Sequence, residues 1–199
     1  MPVAADVTDR DAMLATAARI EEELGAIDVV VLNAGYWRQM DVAAWDSDTF
    51  RRHLDTNLMG MAHGVEAVLP GMRRRRTGVI VGVASLAGVR GFPRSEGYGA
   101  TKAAQINLLE SLCLDLQPLG IRVQTVCPGF VRTGLTAENA FKMPFMLEPD
   151  EAARRIARGM ERESAEIAFP LPMVVGMRLA RAVPAGAYAA AWRRLARTR

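Results

Sequence analysis

Ile27-Asp28-Val29-Val30-Val31-Leu32 is an apolar run interrupted once, by Asp28, and it decides how the rest of the chain is read. A β-branched run of this kind, bounded by turn residues and flanked by helical patterns, marks a strand buried on both faces of a parallel sheet. Residues 78–84 and 121–126 repeat the signal. Upstream, residues 2–7 read as the end of a short strand and residues 9–24 as a helix with an acidic first turn, stopped at Gly25. Downstream, Phe50, Leu54, Leu58, Met61, Val65 and Val68 recur at helical spacing from about Ser47, and a second long helix covers residues 96–116, ending before Pro118 and Gly120. Pro149 opens an amphipathic helix to about Arg162, residues 167–169 form a last short strand, and residues 171–199 read as helix interrupted at Pro184 and Gly186. Strand and helix alternate, so the expected class is α/β: a three-layer fold around an open parallel sheet.

Composition closes off other classes. Half of the 199 residues are hydrophobic and 24% charged, enough apolar surface for one buried core and too much for a disordered chain. With 25 basic and 22 acidic side chains the formal charge is +3, so no nucleic-acid partner held by net charge is expected. The excess is local. No acidic residue follows Glu166, whereas Arg178, Arg181, Arg193, Arg194, Arg197 and Arg199 do, which gives the tail +6 and leaves −3 for the rest. The run from Arg73 to Arg76 closes the helix begun at Ser47, where positive charge complements the helix dipole. His53 and His63 share that helix without cysteines or clustered carboxylates at ligand spacing, so no metal is expected. Cys113 and Cys127 lack CxxC spacing and read as buried, reduced thiols. The first residues show no basic region followed by an apolar core, and arginines cut the C-terminal apolar stretches well short of the ~20 residues of a membrane span. The expected location is cytoplasmic, with two alternatives for the basic tail: peripheral contact with an anionic membrane, or packing on the domain or a partner subunit.

Chemistry concentrates at one helix start. Tyr98 and Lys102 stand four apart, on one face, with their heads close together. A phenol is a sluggish proton donor at neutral pH, and a fixed ammonium beside it is expected to lower its pKa so that it can exchange a proton with an alcohol or carbonyl oxygen. The chain holds two lysines against 23 arginines, which sets the compact amine at position 102 apart. Ser85 lies just past the carboxyl end of the strand at residues 78–84, where open α/β sheets place ligands; a turn or helix cap is the plainer role for a serine there. Asn57 sits among Leu54, Leu58 and Met61, where an amide needs a hydrogen-bond partner and can serve to satisfy or bend the local backbone.

Taken together, Leu32-Asn33-Ala34-Gly35, Asn57, Ser85, Tyr98-Gly99-Ala100-Thr101-Lys102 and Cys127-Pro128-Gly129 resemble the short-chain dehydrogenase/reductase family in order and spacing, strongly from about Ala5 to Thr133 and loosely beyond. The resemblance implies a Rossmann-like oxidoreductase domain over residues 1–170, with residues 171–199 a basic helical extension of it. It implies that Tyr98 is the general acid/base, that Ser85 positions the substrate oxygen, that Lys102 holds the nicotinamide ribose, and that Asn57 sustains a proton relay through water to Lys102. Asn33, Ala34 and Gly35 would pass the adenosine side of NAD or NADP, with NADP slightly preferred, and Asp6 and Val7 would approach the adenine. Pro128, Gly129, Val131 and Thr133 would border the nicotinamide. A homo-oligomer through the Tyr98 helix is implied as well, with Leu108, Leu109, Leu112 and Leu116 as its apolar face or, equally, as core.

The chain departs from the family at its start. Members open with a strand, a glycine-rich turn and a helix that receives the pyrophosphate. Here Asp6-Val7-Thr8-Asp9 matches the segment just after the family's third strand, so an N-terminally truncated sheet is expected. The glycines from Gly82 to Gly91 surround the Ser85 loop and do not replace that turn. The expected function is NAD(P)-linked interconversion of a secondary alcohol and a ketone. The small-molecule substrate would enter between residues 89–95 and 133–147, where Phe141, Met143, Phe145, Met146 and Leu147 read as an apolar lid that suggests a hydrophobic substrate or, equally, as core packing or a mobile loop. The alternative is a non-catalytic remnant, an interaction or oligomerisation module whose first strand lies unpaired at the sheet edge.

Overall fold

The computed structural model describes residues 1–199 apart from Glu138, Ala140, Thr198 and Arg199, with Ala196 and Arg197 described by backbone alone. Four parallel strands, β1 (Val29–Leu32), β2 (Gly78–Val83), β3 (Ile121–Pro128) and β4 (Glu166–Phe169), lie side by side in chain order. Alternate residues of β2 serve opposite layers, as a pleated strand requires. Ile80 joins Leu32, Met72, Leu109 and Ile121 beneath α3 (Gly60–Arg75) and α4 (Glu96–Leu116), while Val81 joins Val126, Ile167 and Phe169 beneath α6 (Pro149–Glu161). Helix α1 (Arg10–Leu24) packs against α3. A side chain at Gly82 would run into Leu109, so its absence lets α4 settle on the sheet.

Local signals in the sequence set the element ends. Asp9 caps α1 by accepting from the Ala12 N–H at 3.0 Å, and Gly25 ends it at φ 88°, a conformation that favours glycine. Asp46 caps α2 (Ser47–His53) through the N–H groups of Asp48 and Thr49. Pro149 stands in the first turn of α6. After β4 come α7 (Leu171–Ala182) and α8 (Ala185–Arg197), with the predicted interruption at Pro184 between them.

The structure corrects several expectations. Residues 2–7 form no strand: the Asp6 carboxylate accepts from the N–H and hydroxyl of Thr8 at 2.9 and 2.8 Å, closing a local turn, and no described strand lies alongside. β1 is an edge strand rather than one buried on both faces, with Val29 47% and Val31 49% exposed. The helix expected from Ser47 contains a wide turn, Leu54–Met59, in which the Gly60 N–H reaches back five residues to the Asp55 carbonyl. Arg75 and Arg76 of the basic run reach the carbonyls of Ile27 and Pro118 at 2.9 and 3.0 Å, tying the end of α3 to neighbouring loops. Leu109 and Leu116 are buried, and Leu108 and Leu112 pack on the same cluster, so these leucines are core rather than an oligomer face. Cys127 is buried as expected, whereas Cys113 is only half-buried. Residues 133–147 include the short helix α5 (Gly134–Ala137), with Phe141 and Phe145 exposed; Glu138 and Ala140 of that segment, like Arg199 of the tail, lie outside the described residues.

Candidate active site

Two polar stripes face each other between α2–α3 and α4. Thr49, His53 and Asn57 recur every fourth residue on one side, Gly97, Thr101 and Gln105 on the other, and all six are buried. Asn57 is the hub. Its Oδ1 accepts from the Tyr36 N–H at 2.6 Å, and its Nδ2 donates to the Tyr36 carbonyl and to Thr101 Oγ1, each at 3.0 Å. Thr101 Oγ1 in turn donates to the Tyr98 carbonyl at 2.9 Å, while Gln105 Nε2 donates to the Asn57 carbonyl at 2.5 Å. The wide turn thus presents Asn57 both as a side chain and as a main-chain acceptor. It also keeps His53 one turn earlier against the loop after β1: Nε2 accepts from the Arg38 N–H at 3.1 Å and Nδ1 donates to the Thr49 carbonyl at 2.9 Å. Burial pushes the His53 pKa down, in keeping with that neutral, doubly used ring.

Tyr98 and Lys102 sit in the first turns of α4, and the Lys102 ammonium lies 5.5 Å from the centre of the Tyr98 ring. Lys102 is 3% exposed, and its hydrogen bond goes to the Val83 carbonyl at 2.9 Å. Burial pushes its pKa down to about 8. The expected lowering of the Tyr98 pKa by Lys102 is not what the structure holds: burial pushes the phenol up, and the hydrogen bond from Ser85 is what pulls it the other way. Ser85 caps the short 3₁₀ turn Leu86–Gly88, accepting from the Ala87 N–H at 3.1 Å, and so combines the cap role with a place opposite the phenol. Trp37 closes one side, its ring meeting Tyr98 edge-on at 5.1 Å and its Nε1 donating to Asn139 Oδ1 at 2.8 Å.

Asn57, Ser85, Tyr98 and Lys102 therefore converge. Gly35 joins them, since a Cβ built there would stand 3.8 Å from Asn57 Oδ1 and 4.0 Å from Lys102 Nζ. Asp6 and Gly35 line a cleft of about 770 Å³ with Thr8, Tyr36, Arg52 and Met59. Asn33 and Ala34 are exposed at the end of β1. Val7 packs over Gly60, and its carbonyl takes His63 Nδ1 at 3.0 Å. Pro128 ends β3, Gly129 lies under Met173 of α7, Val131 bridges to Leu147, and Thr133 is exposed in the turn that starts α5.

The donor set suits the nicotinamide end of a dinucleotide. Lys102 has N–H donors beyond the one given to Val83, and the missing side chain at Gly35 leaves room beside it. The pyrophosphate end is different. The helix start nearest Asp6 is α1, whose N–H groups are capped by Asp9 and which carries Asp11 in its first turn, an arrangement that repels an anion. Sequence reasoning missed Trp37, Gln105 and the place of His53; the fourfold spacing of 49-53-57 against 97-101-105 was the signal for the last two.

A model of the short chain dehydrogenase family matches residues 1–143. An uncharacterized oxidoreductase of Myxococcus xanthus is 41% identical over 194 residues, covering 98% of this chain and 77% of its own length. Among solved structures, NAD+-bound xylitol dehydrogenase superposes with a TM-score of 0.64 at 38% identity, covering 67% of this chain and 52% of that one. A gluconate 5-dehydrogenase of Burkholderia cenocepacia in complex with NADP and tartrate gives 0.65 at 29% identity, over 68% of this chain and 55% of that one. The chain thus spans about half the length of these two enzymes. Its α/β sheet, its buried polar hub and these matches lead to one assignment: this chain belongs to the short-chain dehydrogenase/reductase family.

Proposed function

We propose that the protein interconverts a secondary alcohol and a ketone with NAD or NADP, on a hydrophobic small molecule. The observation that carries this reading is the convergence of buried Ser85 and Lys102 on half-buried Tyr98, with the Lys102 ammonium 5.5 Å from the centre of the Tyr98 ring. In this reading the substrate oxygen sits between the two hydroxyls. Tyr98 gives or takes the proton at that oxygen, and Ser85 holds the oxygen as charge develops. When bound, the nicotinamide supplies or accepts the hydride. Lys102 would hold the ribose hydroxyls; Pro128, Gly129, Val131 and Thr133 would border the ring; Asn33, Ala34, Gly35, Asp6 and Val7 would follow the adenosine side. Asn57 orders the loop after β1 through Tyr36. These contacts make Asn57 a positioning residue, beside the relay through water to Lys102 that we propose for it.

The exposed apolar rim supports a hydrophobic substrate: Leu135, Phe141 and Phe145 are 41, 44 and 57% exposed, and Phe141 meets Phe130, next to Gly129, at 6.0 Å. A homo-oligomer remains our expectation for the assembly, and Leu114, 75% exposed on α4, rather than the four core leucines, is available to it. Among the described residues no helix is long and apolar enough to cross a membrane. The test is oxidation of a panel of secondary alcohols in the presence of NAD or NADP; turnover in either direction that requires Tyr98 supports the reading.

A second reading, a non-catalytic interaction module, is favoured by one observation: β1 offers an open edge with Val29 and Val31 half bare. Calorimetric titration of the 199-residue chain with NADH and NADPH separates the two. Without a pyrophosphate cradle among the described residues, a few hydrogen bonds at ~0.5–1.5 kcal/mol each must offset the entropy of association, which predicts a Kd of roughly millimolar or weaker. Micromolar binding of either removes the module reading and would mean that another segment builds the phosphate site.

A further inference from the structure

Helix α7 has two unlike sides. Its inner side, Met173, Val174 and Met177, packs on Ala84, Leu86 and Cys127, with Met173 against Gly129. Its outer side advances by fours through Leu171, Val175 and Leu179 to Val183 just past its end, 70, 49, 64 and 37% exposed. Pro172, Gly176 and Ala182 fill the gaps at helical spacing and Arg178 stands at the margin, so the middle of that outer surface carries no polar side chain. Surface helices of globular domains carry charge on the side facing water.

The exposed charge of this C-terminal segment is of one sign. Arg178 is paired with Glu166 at 2.6 Å, but Arg181, Arg193 and Arg194 make no ion pair among the described residues. No acidic residue follows Glu166 to neutralise them. Helix α8 is held against the domain through its aromatic side: Tyr188 donates its hydroxyl to the Gly91 carbonyl at 2.8 Å and takes Arg90 over its ring, and Trp192 meets Phe92 edge-on at 6.2 Å. That contact leaves Arg193 and Arg194 exposed.

We propose that the outer side of α7, with the arginines of α7 and α8, docks on an anionic phospholipid bilayer. An apolar stripe without hydrogen-bonding groups suits the acyl boundary, and unpaired guanidinium groups suit phosphate headgroups. A second copy of the chain fits worse, because it would bring together two segments whose charged side chains beyond Glu166 are all arginines.

Vesicle flotation tests the proposal, since aggregates sink while vesicles rise. At low salt the protein is expected to float with vesicles of phosphatidylcholine and phosphatidylglycerol, not with phosphatidylcholine alone, and to be released by high salt. Val175→Asp with Leu179→Asp should lower partitioning at least tenfold with an unchanged circular dichroism spectrum, as both side chains point outward. Arg193→Gln and Arg194→Gln should each lower it about fivefold. Failure to float with the anionic vesicles overturns the proposal, as does equal flotation with the neutral ones. So does a result in which the aspartate pair leaves flotation intact and instead converts a dimer into a monomer in sedimentation velocity, which would give this face to a second copy.

Discussion

The centre of the sheet and its β1 edge are built from the same kind of sequence, apolar β-branched runs, and end in opposite conditions. At the centre, β2 has a strand on each side and a helix on each face, and Ile80 and Val81 are fully buried. At the edge, Val29 and Val31 are half exposed and the outer backbone groups of β1 have no described partner. The residues of the proposed chemistry hang from the centre: Lys102 on the Val83 carbonyl, Ser85 two residues past β2, Tyr98 on α4. The proposed adenosine contacts hang from the edge. The part that would do the chemistry is thus closed by its own side chains, whereas the part that would hold most of the cofactor is shaped for a neighbour.

The largest effect should come at the centre. Tyr98→Phe, in a form of the protein that turns over a secondary alcohol, is expected to cut turnover by at least ~100-fold while leaving the melting temperature unchanged, because only the proton-carrying hydroxyl is lost. Turnover within tenfold of the parent would place the acid/base elsewhere. Lys102→Met should stabilise the fold by about 1–3 kcal/mol at pH 7 while abolishing activity. The folded pKa of Lys102 is about 8 and the unfolded value 10.5, so between those values the unfolded chain keeps a proton that the folded chain has released. The parent therefore gains stability as pH rises through that window, and the advantage of the Met variant should shrink over it. Thermal melts from pH 7 to 10.5 that run parallel would contradict a buried ammonium at 102.

Gly88→Ala comes next. A Cβ there would stand 2.5 Å from the Lys102 carbonyl carbon and 2.7 Å from the Ala103 nitrogen, backbone atoms that cannot swing away. A loss of about 1–3 kcal/mol is expected in urea titrations, against less than about 0.5 kcal/mol for Gly91→Ala, which meets nothing within 4 Å. Equal losses would mean that α4 and the Ser85 turn are not clamped together. The smallest effect belongs to the edge: Val31→Thr should change stability by less than about 0.5 kcal/mol yet reduce association seen by light scattering, since it removes apolar surface beside an open strand. No change in association would show that β1 is not what the chain aggregates through.

Most of the fold was legible because its signals are local. Apolar runs placed all four strands and spacing placed the long helices, with Gly25, Pro149 and Pro184 marking limits correctly. Residues 2–7 misread as a strand because a short apolar stretch carries no information about whether a neighbour exists to pair with. Exposure of Val29 and Val31 was hidden for the same reason: burial on both faces is a property of the whole sheet. In the candidate site, the motif was enough to expect Asn57, Ser85, Tyr98 and Lys102 to lie together. Trp37 and Gln105 belong to no motif and matter through contacts made across the chain, to Tyr98 and to the Asn57 carbonyl. The sign of the Tyr98 shift was misjudged because spacing reveals a nearby charge but not how much water the fold removes.

The wide turn at Leu54–Met59 holds one residue more than a regular helix would need for the same rise, so it can be regarded as a single-residue insertion that the fold has kept. Deleting one residue there would restore regular winding and leave α2 and α3 in their present mutual rotation, because the extra residue is absorbed within the turn. With α3 anchored by Met61, Val65 and Met72 in the core, the change would fall on the turn itself, where Asn57 sits. Asn57 would leave the Tyr36 N–H and carbonyl, and the loop bearing Tyr36 and Trp37 would lose its footing beside Tyr98. A length change of one codon at this turn would therefore act on the site as strongly as the loss of a side chain within it, although no residue of the site would have been replaced.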